Sequence, residues 1–240
     1  MQEYFAKEKK NNEFILSAQD NFHIEKVLRM KHGDHVVVTY DSEKYDCVVS
    51  FEPSLKVNIL SKLDIDNELS CKVILVYGIP KKDKFELVIQ KSTELGVNTI
   101  VPFLAKRSIP VIDEKNSSKK LERWNMIAKE ACEQSKRNIL VNVTEPVKLN
   151  DILDYKSELN IIAYEDMSCD GSKHLYELLS NNYKSITIVV GPEGGFDSKE
   201  IEYLNQNGFV NVSLGKRILR SETAPLYMLS VIAFMNERNK

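Results

Sequence analysis

Between residues 71 and 214, short apolar runs alternate with longer stretches in which apolar positions recur every three or four residues. The runs are CKVILVYG (71–78), NTIVPF (98–103), ILVNV (139–143), NIIAY (160–164), ITIVV (186–190) and FVNVSL (209–214). Their β-branched content and length predict strands, and the stretches between them predict helices. One helix is expected from Asp83, where Glu86 three residues on forms a carboxylate capping box, to a stop at Gly96. A second is expected from about Ser118 to Arg137. The last begins near Pro225, a good first-turn residue, and ends in the basic NERNK. Strand and helix in alternation predict an α/β domain with a largely parallel sheet covered by helices.

The first 69 residues have a different rhythm. EFILS (13–17), HVVVTY (35–40), YDCVVSF (45–51) and SLKVNIL (54–60) are closely spaced strand candidates, separated by the turn signals KHGD and YDSEK. One helical piece, 18–30, carries apolar Phe22, Val27, Leu28 and Met30. Short strands at this spacing predict a small barrel or sandwich. The pattern changes near residues 64–70, which divides the chain into domains 1–69 and 70–240.

Composition adds bounds. With 240 residues, 42% hydrophobic and 28% charged, the chain has material for a sizeable core and a solvated surface. A net charge of −2 gives no global attraction to nucleic acid, so such a partner must meet a local basic patch. Neither a signal sequence nor a membrane-crossing run is expected. Cys47, Cys71, Cys132 and Cys169 lie far apart without a CxxC, so reduced thiols in the cytoplasm are expected, with no metal. His32 and His35 in KHGDH read as a polar turn.

Two loops carry the candidate chemistry. VVGPEGGFDSKE (189–200) runs from a strand through Gly191, Gly194 and Gly195 to Asp197, a candidate N-cap completed by Glu200. It is neither GxGxxG nor GxxxxGK[ST], so the dinucleotide and P-loop readings fail. Its spacing leaves a ligand-contacting turn and a purely geometric one equally open. LGKRILRSETAP (214–225) leaves the next strand at the same sheet edge. It sets Ile218 and Leu219 beside Lys216, Arg217 and Arg220, an apolar slot with fixed charge. A solvated basic loop is the plainer alternative.

Together GPEGGF, LGKRILRSETA, FELVIQKSTELGV (85–97), EACEQSKR (130–137) and HIEKVLRMKHGD (23–34) resemble the bacterial uridine-N3 methyltransferases of small-subunit ribosomal RNA. These are S-adenosylmethionine-dependent enzymes of the SPOUT class, and the resemblance spans nearly the whole chain in order. It implies a PUA-like RNA-binding β-barrel, a trefoil-knotted methyltransferase domain, a homodimer and 16S rRNA in the small ribosomal subunit as substrate. A non-catalytic RNA-binding module and a SPOUT enzyme for another nucleotide are the alternatives. The intact loops argue against the first, the full-length match against the second.

The resemblance also implies roles for particular residues. Gly191, Glu193, Gly194 and Gly195, with Leu214, Gly215, Ile218, Leu219, Thr223 and Ala224, would line the S-adenosyl-L-methionine site. The glycines would keep Cβ atoms away from a bent cofactor. Tyr164 and Glu165 fall where a third donor-binding loop is expected. Uracil N3 carries a proton and is a poor nucleophile until that proton leaves, so the site must remove the proton or stabilise the anion with a fixed cation. Arg220 is assigned that role, because its charge is permanent and its fork can reach a carbonyl oxygen. Glu222 is a candidate base or a cap of the last helix. For RNA, Arg123, Gln134 and Arg137 form a polar stripe with Glu130 on helix 118–137. AKRSIP supplies Lys106 and Arg107, and the N-terminal domain supplies Arg29. A solvated helix face is the alternative for the stripe, a simple surface charge for Arg29.

Overall fold

The computed structural model describes residues 1–81, 84–108, 114–164 and 173–237. Asp83, Glu165, Cys169, the end of AKRSIP and the end of NERNK lie outside the described residues. The chain divides into two compact units, Met1–Glu68 with Cys132–Leu140, and Leu69–Ala131 with Val141–Lys240.

In the first unit β1 (Glu3–Phe5), β2 (Glu8–Lys10), β3 (Glu13–Ile15), β4 (His35–Tyr40), β5 (Glu43–Ser50) and β6 (Lys56–Leu63) make one sheet in the order β1-β4-β5-β6-β3-β2. Only the β1/β4 pair is parallel. Alternate residues Val36 and Val38 of β4, and Tyr45, Cys47 and Val49 of β5, enter one core with Tyr4, Phe14 and Val57. α1 (Ala18–Phe22) starts on a Ser17–Asp20 capping box and runs into a π-turn, His23–Val27. That turn breaks the single helical piece expected over 18–30. Its wide winding, with the Leu28 N–H bonded to the His23 carbonyl at 2.9 Å, buries Ile24 and leaves Phe22, Val27 and Leu28 exposed. The KHGDH turn leaves His32 exposed, and His35 pairs with Asp46 at 2.9 Å.

Charge is buried in this unit as well. Lys44 and Glu3 pair at 2.7 Å with almost no exposure, and Lys44 Nζ also donates to the Lys136 carbonyl at 2.6 Å. Two cations and two anions enclosed this way are satisfied rather than stranded. The second pair is Arg137 with Glu68, joined through Nε at 2.9 Å and Nη2 at 2.5 Å.

The second unit is built on seven parallel strands: β7 (Lys72–Gly78), β8 (Thr99–Phe103), β9 (Asn142–Val143), β10 (Leu159–Ala163), β11 (Lys173–His174), β12 (Ser185–Val190) and β13 (Val210–Ser213). Their order is β11-β13-β10-β12-β7-β8-β9. α2 (Lys84–Glu94), α3 (Glu114–Gln134), α4 (Leu175–Leu178), α5 (Ser198–Gln206) and α6 (Thr223–Glu237) connect or follow them. This is the α/β architecture read from the sequence, with strand ILVNV shortened to two residues. Central β7 is buried from Val73 to Tyr77, as helices on both faces require. Each such aliphatic side chain contributes about 1.5–3 kcal/mol relative to exposure. One face packs Val76, Val101, Ile162 and Val189 against Phe196, Ile201 and Leu204. On α2 and α3, Phe85 stacks on Tyr77 at 5.8 Å and meets Trp124 at 4.6 Å.

Strand order decides which loops meet. β10 lies between β12 and β13, so in a parallel sheet the chain leaves these three strands side by side at one edge. β7 is the other neighbour of β12, which brings its end, Gly78, to the same place. Among the described residues no helix is long and apolar enough to cross a membrane.

Candidate active site

A cavity of about 730 Å³ opens where those loops meet. The segment Gly191–Phe196 after β12 forms one wall, and the segment from Leu214 to Glu222 after β13 forms another. Ala163 and Tyr164, leaving β10, close the gap between them. The volume lies in the range of small-molecule and cofactor sites.

The glycine turn is held by the protein around it. Gly195 N–H donates to the Pro192 carbonyl at 2.9 Å, and Gly195 has φ +66°, a conformation that strains residues with a side chain. A Cβ on Gly191 would meet the Phe196 ring at 3.1 Å, and one on Gly194 would meet Arg107 at 3.1 Å. The first two glycines therefore make room for neighbouring protein, a demand the sequence reading did not foresee. Downstream, Asp197 caps α5 and its N–H bonds Glu200, as the sequence predicted. Lys106 ties the loop after β8 to the same cap, through its N–H to Glu200 at 2.8 Å and its Nζ to Asp197 at 3.0 Å. That Lys106 bond, with the Lys199 amide, holds the Asp197 carboxyl below the usual range.

Of the residues assigned to donor binding, Tyr164, Gly191, Glu193, Gly194, Gly195, Leu214, Gly215, Ile218, Leu219 and Ala224 all line the cavity. Thr223 does not. It opens α6, exposed, with its N–H bonded to the Arg220 carbonyl at 2.9 Å. Arg220 lines the cavity, exposed, and its guanidinium makes no hydrogen bond or ion pair with another described residue. Arg107, expected only on an RNA surface, is also in the wall, its Nη1 donating to the Gly194 carbonyl at 3.3 Å.

Other assignments scatter. Arg123 is exposed and paired with Glu86 at 2.6 Å, and Arg29 and Gln134 are exposed in the first unit. Arg137 is only 3% exposed, since α3 ends at Gln134 and Lys136 turns the backbone left-handed at φ +58°. Its guanidinium is committed to Glu68, so it cannot continue an RNA-facing stripe.

Sequence reasoning passed over the centre of the site. Lys84, at the start of α2, bonds Glu222 at 3.2 Å and Glu193 at 3.3 Å. Glu193 also accepts the Lys81 N–H at 3.2 Å, and Glu222 accepts the Ser221 hydroxyl at 3.3 Å. Buried Tyr77 donates to Ser221 at 3.3 Å, and burial pushes its phenol well above the usual range. Burial alone would raise the Glu222 carboxyl too. Its own backbone amide, Lys84 and Ser221 together hold it below the usual range instead. Glu222 is therefore an ion-paired carboxylate at neutral pH, not the burial-tuned base considered from the sequence. The signal for Lys84 was invisible along the chain, because Glu222 lies 138 residues away.

A cavity at the carboxyl edge of a parallel sheet, with an exposed guanidinium that has no partner among the described residues, defines a small-molecule site of α/β type, and the RNA methyltransferase domain family matches residues 67–233. The ribosomal RNA small subunit methyltransferase E of Bacillus subtilis is 36% identical over 99% of this chain and 98% of its own. The chain belongs to the family of ribosomal RNA small subunit methyltransferase E. Among solved structures, that enzyme from Neisseria gonorrhoeae bound to S-adenosylmethionine superposes with TM-score 0.84, at 27% identity over 98% of this chain and 97% of that one. A Legionella pneumophila protein solved with the same cofactor gives 0.85, at 30% identity over 97% and 96%.

Proposed function

We propose that this protein transfers the methyl group of S-adenosylmethionine to N3 of a uridine in 16S rRNA of the small ribosomal subunit. The observation carrying this reading is the cavity itself. Its three loops bring Gly191, Gly194, Gly195 and Gly215 to the wall, Leu214 and Leu219 supply apolar surface, and Arg220 supplies a charge with no partner among the described residues. Those features suit a nucleoside-containing donor on one side and a uracil on the other. Gly191, Gly194, Gly195, Leu214, Gly215, Leu219 and Tyr164 would hold the donor, which contributes an electrophilic methyl group. In the transfer a carbon–sulfur bond breaks, a nitrogen–carbon bond forms and the N3 proton leaves to solvent. Arg220 stabilises the uracil as negative charge develops on it. Ion-paired Glu222 holds its neighbours rather than taking the proton.

The N-terminal segment 1–69, which makes up most of the first unit, is assigned as the PUA-like RNA-binding domain, and 70–240 as a trefoil-knotted SPOUT domain, of which 132–140 packs with the first unit. Exposed Arg29, Arg107, Arg123 and Gln134, with Lys106, would meet the RNA backbone. A protein acting on ribosomal subunits is placed in the cytoplasm. A homodimer is proposed through α6, which carries no charged residue before Glu237 and leaves Tyr227 and Phe234, two turns apart, exposed. A helix apolar all round needs cover. Phe234→Glu should convert the dimer to monomer in sedimentation equilibrium; a dimer of unchanged strength would remove α6 from the interface.

The central test is transfer of labelled methyl from S-adenosylmethionine to small subunits from cells lacking this protein, followed by digestion and mass identification of the nucleoside. Label as N3-methyluridine is expected. Label on another nucleoside would keep the reaction class and sink the N3 assignment.

A further inference from the structure

We infer that Lys84 is a positioning residue for this reaction: by bonding both carboxylates that line the cavity, it keeps the Arg220 guanidinium uncommitted. The inference rests on the role just given to Arg220. Glu193 and Glu222 are the acidic residues of the cavity wall, one on each donor-side loop. Both are satisfied by one ammonium, at 3.3 Å and 3.2 Å. Glu222 is two residues from Arg220 and its side chain is 15% exposed, so its charge is weakly screened by water. Arg220, by contrast, has no partner among the described residues. A guanidinium seeks a carboxylate fork wherever one is free. What prevents that pairing here is that Lys84 already holds both acids.

The consequence is electrostatic. Without the Lys84 charge, two carboxylates would face the cavity, and their field would oppose that of Arg220 even before any new contact formed. Stabilisation of an anionic uracil would fall, while the donor wall formed by Gly191–Gly195 and Leu214–Gly215 would change little. Lys84 acts on the reacting base only through Arg220, which makes the effect separable from a packing role. Part of the Lys84 arm is exposed, and it joins the loop after β7 to loops after β12 and β13. A purely mechanical clamp is the alternative, and compensation distinguishes the two.

Single-turnover methyl transfer to unmodified small subunits would be measured with the full chain, alongside calorimetric binding of S-adenosylmethionine. Lys84→Met should lower kcat about 30-fold with donor affinity within about threefold, the signature of a loss confined to the transition state. Lys84→Arg, which keeps the charge and can still bridge two carboxylates, should retain most of the turnover. Removing both negative charges as well, in Lys84→Met/Glu193→Gln/Glu222→Gln, should recover kcat to within about fivefold of the unaltered protein, because neutral amides no longer oppose the guanidinium. Normal kcat in Lys84→Met, or a triple variant as slow as Lys84→Met with donor binding intact, would overturn the inference. If Lys84→Met fails to fold, Lys84→Gln carries the same comparison. Arg220→Ala is measured in parallel. Loss of turnover there with normal Lys84→Met sinks this inference alone, whereas retained turnover in Arg220→Ala sinks the role of Arg220 and this inference with it.

Discussion

Arg220→Ala lowers the turnover of methyl transfer by about 10²–10³-fold while leaving S-adenosylmethionine affinity within several-fold. The expectation follows from where the charge sits and what it does not do. Arg220 is exposed at the cavity, lies between Leu219 and Ser221, and makes no ion pair with another described residue. Its contribution to holding the fold is therefore small, and its backbone carbonyl, which receives the Thr223 and Ala224 amides, is untouched by the substitution. What disappears is a permanent cation beside a base that must lose a proton. The effect belongs in kcat because the charge interacts more strongly with an anionic uracil than with a neutral one. Arg220→Lys should recover only part, since a point charge lacks the planar fork. Calorimetry showing lost donor affinity together with normal turnover at saturation would place Arg220 in the donor site instead.

A second large effect is expected far from any charge. Gly78 ends β7, and a Cβ there would lie 2.5 Å from Pro192 Cδ and 2.6 Å from its nitrogen. Both atoms belong to a backbone-fixed ring, so no side chain can swing away to relieve the clash. Either β7 or the glycine turn must move. The turn is the softer of the two, because β7 is paired on both sides and buried along its length. Gly78→Ala should therefore displace Pro192–Gly195 and weaken donor binding about 100-fold, at a stability cost of about 1–3 kcal/mol. Thermal unfolding separates the two readouts. A folded Gly78→Ala protein with unaltered donor affinity would show that the position of the turn does not govern the site.

The contrast between these positions shows what was legible along the chain. Arg220 stood inside a polar loop after a strand, in a setting that local pattern could flag. Gly78 and Lys84 carried no such mark. One ends an unremarkable apolar run, the other begins an ordinary helix, and each gains its role from a residue on a distant loop. Arg137 failed in the opposite direction. Helical spacing put it on a polar stripe, but the helix stops at Gln134 and Glu68, far back in the chain, draws the guanidinium inside. The helical piece of 18–30 is likewise interrupted, because a π-turn winds more widely than an α-helix there, so Ile24 is covered and Phe22 exposed.

By itself the sequence determined the strands of the second unit other than β11, its helices other than α4, the capped start of α5 at Asp197 and the two loops that wall the cavity. Those features depend on periodicity, β-branching and capping, which act between residues a few positions apart. Tertiary structure alone decided that β10 lies between β12 and β13, that Gly78 abuts Pro192, and that Lys84 binds both Glu193 and Glu222. Strand order is settled by packing between strands tens of residues apart, and the Gly78 and Lys84 contacts by segments more than a hundred residues apart. No local pattern in either segment encodes its partner.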